Sequence, residues 1–173
     1  MRNMGSRVDS VRANAELVAW SAAFVVSQAN IMRVLGPVGV RVLMTQTATS
    51  AQAYRAVLDR MDAGEIERYR SHFYPDFLHP IVYAATLRAG ARRLDALAPL
   101  SPAAKRVLSA APVVAAAGDY VENVAGLYLL DHRYRITDRT VRLTTAVSTT
   151  KWVLGLGALA YLVRGFLRAG KQG

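Results

Sequence analysis

Between Val107 and Leu130 run 24 residues whose only formal charges are Asp119 and Glu122, and between Leu143 and Val163 run 21 whose only charge is Lys151. Each stretch can cross a hydrocarbon core of ~30 Å at ~1.5 Å per residue, so the pattern predicts membrane spans over about 107–130 and 143–163. Phe73 to Ala91 adds 19 residues charged only at Asp76 and Arg88. Pro75 and Pro80 predict a kink in that span, 73–91, without excluding it from a bundle. The apolar run Leu17 to Met32 is 16 residues, so a span there extends to about 15–35. A cleaved signal peptide is the competing reading, because Arg2, Arg7 and Arg12 precede this run. No small-x-small cleavage site directly follows it, and a retained helix is expected.

The long connection from Gly36 to His72 carries its own helical signals. Thr49 followed by Gln52 has capping-box spacing, and Tyr54, Val57, Leu58 and Met61 then share one helical face. Asp62 with Glu65 repeats the signal, ahead of a stripe of Ile66, Tyr69 and Phe73. This predicts an amphipathic hairpin over about 49–72 that lies on the bundle or at the interface, with partner docking as the alternative. The alanine-rich stretch from Ala110 to Ala117 reads as a helix-packing surface. The expected fold is all-α: a polytopic membrane protein with a bundle of about four transmembrane helices and the short helical hairpin between the first two. Residues 1–173 form a single membrane-embedded domain, without internal repeats or low-complexity tracts.

Composition agrees, with 53% hydrophobic residues against 20% charged and a mean hydropathy of +0.17. The net charge of +10 changes the picture, because so basic a chain could bind nucleic acid. Its cations instead flank the apolar segments and form no stripe interleaved with aromatics, so no nucleic-acid partner is expected. Arg92, Arg93, Lys105 and Arg106 face only Asp95 between the second and third spans, and Arg164, Arg168 and Lys171 follow the fourth without an acid. The excess of cations inside places both termini on the cytoplasmic side of a bacterial inner membrane, or on the matrix side of a mitochondrial one. The connector from Asp131 to Arg142 weakens the asymmetry, with four arginines against two aspartates. With no cysteine, disulfides, thiolate metal sites and cysteine nucleophiles are excluded.

Asp119, Glu122 and Asn123 stand at i, i+3 and i+4, so one helical face carries all three and cannot point at lipid. If the last two spans form an antiparallel hairpin, Glu122 and Lys151 both lie ~12 Å from the same surface by helix rise. Asp76 and His79 fall on that side too, ~5 and ~9 Å deep. The predicted intramembrane polar cluster is therefore Asp76, His79, Asp119, Glu122, Asn123 and Lys151. The same residues admit sharper chemistries. His72, Asp76 and His79 could join Glu122 around a divalent metal, but no H-E-x-x-H or E-x-x-H signature supports this. Ser148, Thr149 and Thr150 precede Lys151, although such hydroxyls usually bond neighbouring helices. A proton or ion pathway through the carboxylates is the physically sensible alternative. No phosphate loop or dinucleotide fingerprint is present, and no metal, cofactor or catalytic residue is expected.

Three marks carry a resemblance: Tyr74-Pro75-Asp76 with Pro80-Ile81-Val82-Tyr83, Gly118-Asp119-Tyr120-Val121-Glu122-Asn123, and Thr150-Lys151-Trp152. Over roughly Thr49 to Leu167 the chain resembles a family of small bacterial integral membrane proteins with four helices, a D-x-x-E-N motif in the third and a Lys-Trp in the fourth. Gly118 departs from that pattern, where a bulkier apolar residue is usual. The resemblance implies the fold and a shared polar cluster, and it brings no established activity. The expected role is that of a structural or accessory subunit, or an assembly helper, whose partners are the lipid bilayer and other membrane proteins. A small transporter or ion-coupled protein using the buried carboxylates is the runner-up, and an intramembrane enzyme ranks third.

Overall fold

The computed structural model describes residues 3–171, with side chains from residue 11 onward, so Arg2 and the side chain of Arg7 lie outside the described residues. Among these residues there are helices and no strands. The helices are α1 (Asn3–Leu35), α2 (Gly39–Gln46), α3 (Ala51–Asp59), α4 (Ala63–Asp76), α5 (His79–Leu97), α6 (Pro102–Asp131) and α7 (Asp138–Gly170), with short 3-10 turns at Gly36–Val38 and Arg133–Arg135.

Local chemistry sets most of these boundaries. Ser101 accepts a bond from the Ala104 N–H ahead of Pro102, and Thr137 accepts one from Thr140 N–H, so α6 and α7 both begin on side-chain caps. Asp62 and Glu65 form the reciprocal capping box that the sequence predicts. The first cap of the hairpin is one residue later than expected: Ser50, not Thr49, has extended backbone and accepts from Ala53 N–H. The helix α2 was not anticipated. It follows a sharp turn at Gly36, whose φ of 51° favours glycine.

The span predicted over 73–91 is divided rather than merely kinked. α4 ends at Asp76 and α5 begins at His79. Proline explains the break, since Pro80 has no N–H for the carbonyl four residues before it, that of Asp76, and its ring crowds the same group. Ile81 N–H bonds Leu78 at 3.2 Å, one residue short of its α-helical partner, which frees the Phe77 carbonyl as well.

α1 runs antiparallel along α5, and α6 runs antiparallel along α7, with α5 between α1 and α6. Thr86 donates to the Trp20 carbonyl at 2.9 Å and Arg92 reaches Glu16, which fixes the α1–α5 register. The α3–α4 hairpin caps the end where α6 turns into α7. Arg133 pairs with Asp59 at 2.9 Å, Arg55 donates to the Ile136 carbonyl, and Thr145 donates to the Ala48 carbonyl at 2.6 Å. The predicted stripe is its buried face, because Tyr54, Val57, Leu58, Met61, Tyr69 and Phe73 are all buried and Ile66 packs against them.

Two apolar cores result, at opposite ends. One joins the hairpin to Leu129, Leu130 and Val141, and the other gathers Leu94, Leu108, Ala158 and Leu162. Between them lies the polar cluster. Outward, α1 exposes Val18, Val25 and Met32, and α7 exposes Leu156, Leu159, Val163 and Leu167, each set falling on one helical face. Among the described residues, Val11–Gln46 and Asp138–Gly170 are long and apolar enough to cross a membrane. α5 and α6 do not reach that measure, since α6 carries the acidic motif and α5 carries His79 and the cations near its end.

Candidate functional site

α6 projects Asp119, Glu122 and Asn123 from one face, as their spacing requires, and all three are buried. Across the antiparallel interface, α7 supplies Lys151, which is also buried. Its ammonium donates to Asp119 Oδ1 and meets Glu122 Oε2 as an ion pair. Gly118 makes this approach possible. A Cβ at that position would stand 3.2 Å from the Cβ of Lys151 and 3.5 Å from Val147, so a larger side chain would push α7 outward.

Hydroxyl groups complete the shell. Tyr83 of α5 donates to Asp119 Oδ2 at 2.6 Å, and Ser148 of α7 donates to Glu122 Oε1. Ser148 also stands 3.0 Å from the Thr144 carbonyl. Glu122 Oε2 has the Lys151 ammonium as its partner.

The other half of the cluster serves the helix break. Asn123 Nδ2 donates to the Asp76 carbonyl at 2.9 Å, the group that Pro80 leaves without a donor. Tyr120 donates to the Phe77 carbonyl at 2.8 Å. A non-helical backbone inside the bundle is tolerable because α6 satisfies both carbonyls. Gly126, one turn further along α6, leaves the space that the Phe73 ring occupies, and a Cβ there would lie 2.5 Å from the ring.

Of the six predicted cluster residues, Asp119, Glu122 and Lys151 form one ionic group, and Asn123 donates to the backbone carbonyl of Asp76, which lines the adjoining cavity. His79 takes its hydrogen bond from another helix. Its Nδ1 lies 3.0 Å from Ser27 Oγ of α1, and its ring packs against Phe24 and Tyr83. His72 bonds the Tyr69 carbonyl in its own helix and stacks on Phe73. The two histidines therefore serve different neighbours, and among the described residues no group of three or more His, Asp or Glu is placed to hold a metal. Thr149 and Thr150 bond carbonyls of their own helix, which leaves neither poised as a nucleophile. Sequence reasoning gave no role to Tyr83 or Tyr120, whereas the expectation that a Ser148 hydroxyl bonds a neighbouring helix is met at Glu122 of α6. Proline arithmetic, which identifies the Asp76 carbonyl as needing a donor, was the usable signal for the bond Asn123 makes.

A cavity of about 40 Å³ adjoins the cluster, bounded by α2, α3, α4, α6 and α7. Thr45, Tyr54, Tyr69, Glu122, Asn123 and Ser148 are among its lining residues. Thr45 and Tyr69 hydroxyls bond each other at 3.0 Å on its wall. The space has room for roughly two or three water molecules. At the opposite end of the bundle, outside the cluster, Lys105 and the Leu100 N–H hold the Asp95 carboxyl below its ordinary range. No family model matches the chain, and no match is found among curated proteins or solved structures.

Proposed function

We propose that this chain is a four-span integral membrane protein with both termini on the cytoplasmic side, and that it works as a structural or accessory component of a membrane complex. In this reading the apolar stretches 15–35, 73–91, 107–130 and 143–163, carried by α1, the α4–α5 pair, α6 and α7, are the spans, and the resemblance to the bacterial four-helix family reflects membership. One observation carries the role: each member of the cluster is engaged by its surroundings, so the polar residues lock helix register. α1 is held to α5 by Ser27 and His79, α5 to α6 by Tyr83 and Asp119, and α6 to α7 by Lys151. The outward apolar faces of α1 and α7 support contact with lipid or with other membrane helices.

Reporter fusions test the topology. Ala98 should report the cytoplasm and Arg135 the opposite side; the reverse pattern would overturn the orientation. For the role, the full chain extracted in mild detergent should retain one stoichiometric membrane protein through size-exclusion chromatography. A chain that migrates alone and drives ion flux in liposomes would instead establish the ion-coupled reading, which the cavity beside Glu122 favours.

A further inference from the structure

The charges of the polar cluster do not balance. Asp119 and Glu122 share a single ammonium, that of Lys151, and Asp76 brings a third carboxylate to the cavity. Among the described residues no Lys or Arg lines that cavity. Excess negative charge in a protein interior is costly unless a cation or a proton neutralises it.

The geometry indicates where the neutralising charge enters. Glu122 is 9% exposed, lines the cavity, and turns one carboxylate oxygen to the ammonium that it shares with Asp119. Its other oxygen takes the Ser148 hydroxyl, which has a second acceptor within reach in the Thr144 carbonyl at 3.0 Å. Ser148 can therefore serve both states of its neighbour. It donates to an ionised Glu122, or it turns its proton to Thr144 and accepts from a protonated Glu122. Lys151 is similarly adaptable, because Asp119 remains as its partner when Glu122 becomes neutral.

We propose that Glu122 is an exchangeable proton-binding site, reached by water in the cavity between the hairpin and the α6–α7 pair. A hydronium ion gives its proton to the carboxylate, leaving a carboxylic acid and a water, and the reverse step releases it. The groups facing this site are Tyr54 from α3, Tyr69, His72 and Asp76 from α4, Tyr83 from α5 by way of Asp119, Asp119 itself from α6, and Lys151 from α7. The inference depends on neither topology nor cellular role, so its failure would leave both readings in place.

The test uses dicyclohexylcarbodiimide, an apolar reagent that adds to protonated carboxyl groups. The full chain in detergent micelles is exposed to it from pH 6 to pH 9, and mass spectrometry locates the adduct. Glu122 should be labelled, with a rate that falls about tenfold per pH unit above the site's own pKa. Glu122→Gln should abolish that adduct, and Thr144→Leu, which fills the cavity wall, should slow it severalfold at constant pH. Thr144 bonds carbonyls of its own helix, so its loss orphans no group elsewhere. The proposal is overturned if Glu122 stays unlabelled throughout, if its labelling ignores pH, or if Thr144→Leu leaves the rate unchanged. Protection by added sodium at fixed pH would also overturn it, by assigning the site to an alkali cation. Because wild-type labelling is read at the residue itself, the result stands even if Glu122→Gln fails to fold.

Discussion

Lys151→Met removes the ammonium that faces Asp119 and Glu122 while keeping an unbranched side chain of similar length. The setting decides the size of the effect: Lys151 is 8% exposed, and its two partner carboxylates are 10% and 9% exposed. A solvent-exposed ion pair would cost under about 1 kcal/mol to break. Removing one side of a buried pair costs about 3–5 kcal/mol, because the remaining charge is stranded. For a chain of this length each kcal/mol moves the melting temperature by about 2–4 °C, so the variant should melt about 6–20 °C below wild type. Full-length protein in detergent, followed by far-ultraviolet circular dichroism, gives the measurement. The decisive comparison adds Asp119→Asn and Glu122→Gln to Lys151→Met. Replacing the whole ionic group by neutral side chains should restore most of the loss, since the expense lies in the stranded carboxylates and not in the missing attraction. A Lys151→Met protein that melts within about 2 °C of wild type would show that the ion pair is solvated and the burial argument wrong. A triple variant no more stable than Lys151→Met would equally refute the stranded-charge reasoning.

The helix break makes a second prediction: Asn123→Ala should cost about 1–3 kcal/mol by orphaning the Asp76 carbonyl, and Pro80→Ala, which supplies an N–H at the right position, should recover much of it. Purely additive melting shifts in that double variant would refute the shared-carbonyl account. Gly126→Ala should destabilise by about 1–3 kcal/mol through its clash with Phe73, and Phe73→Leu in the same chain should relieve part of that loss; melting curves of the three proteins decide it. Asp95 is held below its ordinary range by Lys105 and the Leu100 N–H, so its stabilisation is complete above the unfolded value of about 4 and disappears as pH falls through the lower folded value. Asp95→Asn should therefore melt slightly below wild type near neutrality, by under about 1 kcal/mol given its partial exposure, with the gap closing as pH falls through the folded Asp95 value; a gap that stays constant as the acid is increased would refute the pairing.

How much of this site could be read from the sequence follows from which helix coordinate each residue depends on. Depth along a helix is rise per residue, and it accumulates steadily whether or not the helix is interrupted nearby. That is why Glu122 and Lys151 could be matched across an unseen interface, and why the amphipathic hairpin with its buried Tyr54, Leu58 and Tyr69 was legible from spacing alone. Direction around the axis behaves differently. It turns by about 100° per residue, so a break of two residues resets the face presented by everything beyond it. His79 begins the helix after such a break, and although its depth resembles that of the cluster it faces Ser27 and α1. Asp76 ends the helix before it, and its backbone carbonyl accepts from Asn123. Backbone acceptors carry no side-chain signature, so spacing put Asn123 on the polar face without showing that it and Tyr120 donate to the break. The proline positions held the missing information. Pro80 withholds a donor from one identifiable carbonyl, and a buried bundle must supply that donor from another helix, which makes Asn123 the direct consequence of Pro80.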